Sequence, residues 1–182
     1  MTGRVSGKIA MVTGAGMGLG RASCLLLARE GASIAVTDID AQLAEETAEM
    51  VRQAGGNARS WRLDVAVPAD WEAVTAEIEA AFGRLDVLVN NAGIAIAKNI
   101  EDTTPDEWRR TMAINLDGVF FGCQAAIGPM KRSGGGSIVN LSSIDGIIGE
   151  AELAAYCASK GGVRTLTKAV AVHCAENKYG IR

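Results

Sequence analysis

Ile9-Ala10-Met11-Val12-Thr13-Gly14-Ala15-Gly16-Met17-Gly18-Leu19-Gly20 is a short apolar run that passes through a glycine-rich turn into an amphipathic stretch. The run Ile9–Thr13 reads as a strand and Gly20–Glu30 as the helix that follows it. The common dinucleotide fingerprint G-x-G-x-x-G fails here, since from Gly14 it requires glycine where Leu19 stands. The spacing is G-x-x-x-G-x-G, a longer turn built on the same physics. Glycine tolerates positive φ and lets main-chain N–H groups approach a pyrophosphate, whose charge is favoured at a helix N-terminus. Gly14, Met17, Gly18 and Leu19 are therefore candidate cofactor contacts. A tight strand–helix turn with no ligand would carry the same glycines.

Outward from this turn, short apolar runs alternate with longer amphipathic ones. Ser33–Thr37, Arg59–Leu63, Asp86–Asn90 and Ser137–Leu141 are strand-like, being rich in β-branched residues or leucine and bounded by Gly, Asp or Asn. Helical patterns cover Ala41–Ala54, Ala69–Phe82, Pro105–Lys131 and Leu153–Glu176. Pro68 and Pro105 fall where helix starts tolerate proline, and Gly31, Gly55-Gly56 and Gly83 where helices stop. Strand–helix alternation implies an α/β fold: a doubly wound parallel sheet with right-handed crossovers and helices on both faces. No repeat or interdomain linker divides residues 1–182, which are expected to form one domain. The sequence stops at Gly180-Ile181-Arg182, at the first step of a further strand, so a truncated or incompletely represented domain is expected.

Composition narrows the chemistry. A net charge of −3 with no basic block offers no electrostatic footprint for nucleic acid or an anionic membrane. Cys24, Cys123, Cys157 and Cys174 show no paired spacing and read as free thiols in a reducing compartment. One histidine, His173, argues against a histidine metal cluster or a Ser-His triad. The first residues lack an apolar signal core, and no apolar run spans a bilayer. A cytoplasmic protein is expected.

Two sets of residues carry chemistry. Asp38 ends the second strand, twenty residues after Gly18, where a carboxylate can bond the adenosine ribose hydroxyls. It would repel a 2′-phosphate, and no Lys or Arg stands at Ala15–Gly18 or Ile39, so NAD is favoured over NADP. Its bland alternative, a helix cap, fits Asp40 better. Asp64-Val65 ends the third strand and can flank adenine, and Asn90-Asn91-Ala92-Gly93 ends the fourth with small residues that admit a cofactor. In the second set, Tyr156 and Lys160 share one helix face at i and i+4. A free phenol ionises only near pH 10, and burial pushes it the wrong way, so working near neutrality needs a neighbouring cation. Lysine can be that cation and can also hold a cofactor ribose. Ser143 follows a strand, where its hydroxyl can bond a carbonyl oxygen under reduction. Alone, Tyr-x-x-x-Lys is usually an exposed helix face; the turn and the serine give it weight.

Thr13-Gly14-x-x-x-Gly18-x-Gly20, Asn90-Asn91-Ala92-Gly93, Ser143 and Tyr156-x-x-x-Lys160, in that order, resemble the short-chain dehydrogenase/reductase family over nearly the whole chain. The resemblance implies Tyr156 as proton donor or acceptor, Ser143 as stabiliser of the substrate oxygen, and Lys160 as the group that tunes the phenol and binds ribose. Tyr156 and Lys160 thus count as cofactor contacts too. It also implies that Asn115 anchors a water in a proton relay to Lys160; by itself an Asn inside a helix reads as a kink or a satisfied polar group. Ser143 matches the family's spacing to Tyr156, which leaves Ser142 structural. The stretches around Ser143 and Asn115–Gly122 are similar to members acting on secondary alcohols and simple or cyclic ketones. Ala125-Ala126 and Ala169–Ala171 fit tight packing surfaces within the fold, or, as the resemblance suggests, helix contacts between subunits and hence a homo-oligomer, dimer or tetramer. The resemblance also implies C-terminal strands and a substrate lid past Arg182. Rival functions on the same residues are a silent NAD-binding protein, an isomerase or dehydratase, and an inactive fragment. Trp61, Trp71 and Trp108 are expected to pack between layers.

Overall fold

Side chains alternate across a strand, so Ile9 and Met11 face one side of the first strand while Ala10 and Val12 face the other. All four are buried, which requires cover on both faces. The computed structural model describes residues 3–182. β1 (Ile9–Val12) lies at the centre of a five-stranded sheet of order β3-β2-β1-β4-β5, with β2 (Ser33–Asp38), β3 (Asn57–Arg62), β4 (Val87–Asn90) and β5 (Ser137–Asn140). Every pairing is parallel, with Val12 opposite Val36 on one side and Val89 on the other. The strand order reverses between β1 and β4, which opens a crevice at their carboxyl ends, where such sheets bind ligands.

Helices α1 (Gly18–Arg29) and α2 (Ala41–Gln53) cover one face, where Cys24, Ala44, Ala48 and Val51 pack on Ala10, Val12, Ile34 and Val36. Helix α3 (Pro68–Phe82) covers the other, with Trp71, Val74 and Ile78 against Met11 and Leu88. Asp40 caps α2 by accepting the N–H groups of Gln42 at 2.9 Å and Leu43 at 3.1 Å. Thr104 and Glu107 form a capping box at α4 (Pro105–Met112), and the Thr104 N–H, with help from Lys98 and the Thr104 hydroxyl, holds the Glu107 carboxyl down at about 2.

The single helix expected over Pro105–Lys131 is three segments. Between α4 and α5 (Gly118–Arg132) the chain makes a π-helical turn, Ala113–Asp117, with no break in right-handed backbone. A last helix, α6 (Ala154–Glu176), packs on α5 through Val163, Leu166 and Val170 against Val119 and Cys123. The final residues start to pair beside β5: Gly136 bridges Ile181 in parallel. Trp71 is buried and Trp61 packs edge-on against Phe82, as the layers demand. Trp108 instead stays 39% exposed, because α4 is mostly polar and turns that face outward.

Asp86 ties the far end of the sheet. Its carboxylate is 3% exposed and accepts the Ile9 N–H at 3.0 Å, Lys8 Nζ at 3.3 Å and Arg84 Nη2 at 2.6 Å. Burial pushes this carboxyl up, but the Arg84 guanidinium, the Ile9 N–H and Lys8 together outweigh burial and hold it below the ordinary value. The folded state therefore favours the ionised form, a stabilisation present above the ordinary carboxylate range and lost as pH falls through the folded value. Asp86→Asn should lower stability at pH 7 by about 2–3 kcal/mol, the range for hydrogen bonds to a charged group. In urea titrations the gap from the parent should begin to close below about pH 4.

Candidate active site

The turn after β1 and the loop after β4 are laced together before any ligand is considered. Thr13 Oγ1 accepts the N–H groups of Asn91 and Ala92, both at 3.0 Å, and Asn91 Nδ2 donates to the carbonyls of Thr13 at 2.8 Å and Gly14 at 3.0 Å. Gly14 has φ +59°, and a Cβ on it would lie 2.8 Å from Ala92 Cα, so this close approach needs glycine. Asp38 accepts the Gly16 N–H at 2.8 Å and the Asp40 N–H at 3.0 Å, which fixes its carboxylate at the carboxyl end of β2. Two N–H groups leave further lone pairs for a diol.

A cleft of about 510 Å³ opens over these loops. Gly14, Met17, Leu19, Asp38, Asp64, Val65 and Asn91 all line it. Gly18 does not; it begins α1 with φ +54°, which places its role in the turn's conformation. Met17 is 62% and Leu19 73% exposed, an apolar rim of the kind a bound cofactor covers. Arg110, on α4, also lines the cleft, as do Ile94 and Ile114. Nothing in the local sequence marks Arg110, since only the packing of α4 beside the third strand's end brings it there. The other nearby cation, Arg21, is turned behind the glycine turn, where it bonds the Gly16 carbonyl and Thr47 and pairs with Glu46.

Past Gly93 the cleft meets the second set of residues. A Cβ on Gly93 would stand 3.6 Å from Lys160 Nζ and 3.3 Å from Asn115 Oδ1, so its absence keeps space open beside both. Lys160 is 5% exposed, and burial pushes its ammonium pKa down. Its Nζ lies 5.6 Å from the centre of the Tyr156 ring and donates to the Leu141 carbonyl at 2.7 Å. Among the described residues the half-buried Tyr156 phenol oxygen has no hydrogen-bond partner.

Asn115 sits in the π turn, fully buried. Its Oδ1 accepts the Ile94 N–H at 2.8 Å, while Nδ2 donates to the Ile94 carbonyl at 2.8 Å and to Ser159 Oγ at 3.1 Å. Ser159 Oγ in turn donates to the Tyr156 carbonyl at 2.7 Å. Asn115 is thus both the kink and the satisfied polar group that a helical Asn suggests, and its side chain has no donor left for water. A water there can donate to the second lone pair of Oδ1 or to the main-chain carbonyl, and π turns loosen that hydrogen-bond ladder at functional sites. Sequence gave no hint of Ser159 as the bridge.

Ser143 opens a 3₁₀ turn, Ile144–Gly146, that packs against α6 at Lys160. Its Oγ accepts the Asp145 N–H at 3.1 Å and donates to Asp145 Oδ2 at 3.2 Å. The structure therefore brings Tyr156, Lys160 and Asn115 together, Asn115 linked through Ser159 to the Tyr156 main chain and Lys160 beside the Tyr156 ring, while Ser143 reaches the same helix but bonds Asp145 rather than Tyr156.

A Rossmann-type sheet with a glycine turn at its switch point, and a Tyr-Lys pair beside Gly93 where the crevice ends, is the architecture of a nucleotide-binding α/β protein. Residues 8–182 match the profile of the family described as short chain dehydrogenase. The chain belongs to that family. It is 43% identical to the NADP-dependent (R)-specific alcohol dehydrogenase of Lentilactobacillus kefiri, a match over 100% of this chain and 72% of that protein. It is 46% identical to the cyclopentanol dehydrogenase of Comamonas sp. (strain NCIMB 9872), over 95% of this chain and 69% of that protein. A crystal structure from Sinorhizobium meliloti 1021, described as that of a candidate short-chain alcohol dehydrogenase, superposes with a TM-score of 0.93 at 36% identity, over 97% of this chain and 69% of that one. No helix among the described residues is long and apolar enough to cross a membrane.

Proposed function

We propose that the protein oxidises secondary alcohols, or reduces the matching ketones, with NAD(H) as the hydride carrier and Tyr156 as the acid/base. The observation that carries this reading is the Lys160 ammonium, buried with no acid partner among the described residues, set 5.6 Å from the Tyr156 ring and next to Gly93, which lines the cleft over the glycine turn. A bound nicotinamide cofactor supplies the hydride acceptor or donor. Tyr156 moves the hydroxyl proton, and Lys160 favours the ionised phenol and is free to hold ribose with its two remaining N–H donors. Ser143 steadies the substrate oxygen once its hydrogen swings from Asp145 to the incoming oxygen. Gly14, Gly18, Met17 and Leu19 carry the pyrophosphate end, while Asp64, Val65 and Asn91 wall the adenosine and its path inward.

Asp38 supports NAD over NADP, because a 2′-phosphate would meet its carboxylate while Arg21 is engaged elsewhere. The Lentilactobacillus relative is NADP-dependent by name, so this choice rests on Asp38 alone. Residues 1–182 acting as one dinucleotide-binding and catalytic domain, assembly as a dimer or tetramer, and a cytoplasmic setting belong to the same proposal.

The test is NADH absorbance over a panel of secondary alcohols, cyclopentanol and cyclic diols, with NAD and NADP in parallel. NADH formation that needs the alcohol supports the reading, and cofactor binding without turnover on any alcohol overturns it. Asp38→Gly combined with Ile39→Arg should lower kcat/KM for NAD by about 100-fold, the scale of two hydrogen bonds to a charged group, and reverse the NAD/NADP ratio. An unchanged ratio would remove Asp38 from cofactor choice.

A further inference from the structure

We infer that the strand end Asn140–Ser142 is a clasp that fixes where the Lys160 ammonium lies, with Asn140, Ser142 and Thr167 as positioning residues for the proton step. The inference rests on the proposed function for its consequence, though not for its geometry. Three consecutive residues reach one helix. Asn140 Nδ2 donates to Thr167 Oγ1 at 3.0 Å, the Leu141 carbonyl accepts Lys160 Nζ at 2.7 Å, and Ser142 Oγ donates to the Lys160 carbonyl at 2.8 Å.

The clasp is itself held. Asn140 Oδ1 accepts Asn90 Nδ2 at 2.8 Å, and the Leu141 N–H donates to the Asn90 carbonyl at 3.1 Å. The peptide unit just before the Leu141 carbonyl is therefore fixed from the β4 side and, through Asn140, from the α6 side. Thr167 Oγ1 passes its own hydrogen to the Val163 carbonyl at 2.7 Å, which leaves its oxygen oriented to receive the Asn140 amide. Cys123 Sγ fills the remaining space against both amides, at 3.6 Å from Asn140 Nδ2 and 3.8 Å from Asn90 Nδ2.

Lys160 depends on such support. A lysine side chain has roughly 2 kcal/mol of rotamer entropy to lose on being fixed. Among the described residues this one has no ion pair and one side-chain hydrogen bond. Beside its ammonium lie the Tyr156 ring on α6 and Gly93 after β4, with Asn115 of the π turn also next to Gly93, while the 3₁₀ turn carrying Asp145, whose carboxylate is bonded to Ser143, packs on the Lys160 main chain. Among the described residues the Leu141 carbonyl is the one fixed acceptor on the ammonium. If it shifts, the ammonium follows it or turns to water, and in either case its distance to the phenol changes.

Thr167→Val removes the acceptor of Asn140 while keeping the branched shape, Thr167→Ser retains it, and Ser142→Ala removes the second link. Lysine labelled with ¹³C at Cε lets the six lysines be titrated by NMR, with Lys160 assigned by its loss in Lys160→Arg. In Thr167→Val/Ser142→Ala the Lys160 midpoint should move by about one pH unit, upward where the freed ammonium reaches water and downward where it stays buried without its acceptor, and Thr167→Ser should keep the parent midpoint. The acid limb of kcat against pH for alcohol oxidation should move alkaline by a similar amount, about tenfold in rate at a fixed pH on that limb. An unmoved Lys160 midpoint in the folded double variant, or in Thr167→Val alone if the double variant does not fold, overturns the clasp. The NMR titration needs no turnover, so a chain that oxidises no alcohol sinks the proposed function and still tests the clasp.

Discussion

Tyr156→Phe should lose at least about 10³-fold in kcat for alcohol oxidation, within the range of 10²–10⁴ that a positioned acid or base supplies. NADH affinity, followed by fluorescence titration, should stay within about twofold of the parent. The reason lies in how few proton carriers the site has. Lys160 donates to Leu141, the two Asn115 amide hydrogens are held by Ile94 and Ser159, and the Ser143 hydrogen lies on Asp145. His173 bonds Asn177 near the other end of α6, about 25 Å along the helix at 1.5 Å per residue. No neighbour can replace the phenol. Its oxygen also has no partner among the described residues, so its removal should change unfolding free energy by less than about 0.5 kcal/mol. The loss would then be chemical and not structural. A variant that keeps more than about a tenth of parental kcat would remove Tyr156 from the proton step.

The central strands β1, β2 and β4 were legible because each is a short buried run closed by Gly, Asp or Asn, and burial on both faces leaves little freedom in where such a run can go. The edge strands β3 and β5 are half exposed, and β3 starts at Asn57, ahead of the expected Arg59. The glycine turn was legible for a related reason: positive φ at Gly14 and Gly18 restricts which residues can stand there. The π turn was not. Residues 113–117 have helical backbone on both sides, and the extra residue is stabilised by Asn115 bonding Ile94, a contact between segments 21 residues apart. The same limit applies to the site. That Tyr156 and Lys160 share a helix face follows from the helical repeat, but the partner of Lys160 is the main-chain carbonyl of Leu141, which any residue could provide. Ser142, read as structural, bonds the main-chain carbonyl of Lys160, a contact that its identity alone does not announce. Arg110 was overlooked because its place in the cleft comes from helix packing. Residue identity reveals a role where backbone geometry or side-chain chemistry is demanding; it hides one where the partner is ordinary main chain.

Gly20→Ala should abolish tight cofactor binding, by about 100-fold or more in NADH affinity, and lower stability by about 1–3 kcal/mol, the usual cost of overpacking. A Cβ on Gly20 would run into the Gly14 carbonyl oxygen and lie 2.7 Å from Asn91 Nδ2 and 2.9 Å from Ala15 Cα. Two of those atoms are backbone of the turn, so no rotamer can relieve the clash. The first turn of α1 must move away from the strand ends, or Asn91 must release the Thr13 and Gly14 carbonyls that it ties together. Either movement displaces the N–H groups that would face a pyrophosphate, and a misplacement of about 1 Å can cost 10²-fold in function. Gly18→Ala gives a graded comparison: a Cβ there meets nothing within 4 Å, so only the φ of +54° is strained, about 1–2 kcal/mol for a left-handed residue. Gly149→Ala is the control, since that position has neither neighbours nor positive φ. Fluorescence titration and thermal unfolding of the three variants should rank them Gly20→Ala, Gly18→Ala, Gly149→Ala in severity. If Gly20→Ala bound NADH as tightly as Gly149→Ala, the turn after β1 would not be where the cofactor's phosphates rest, and the cleft would need another ligand.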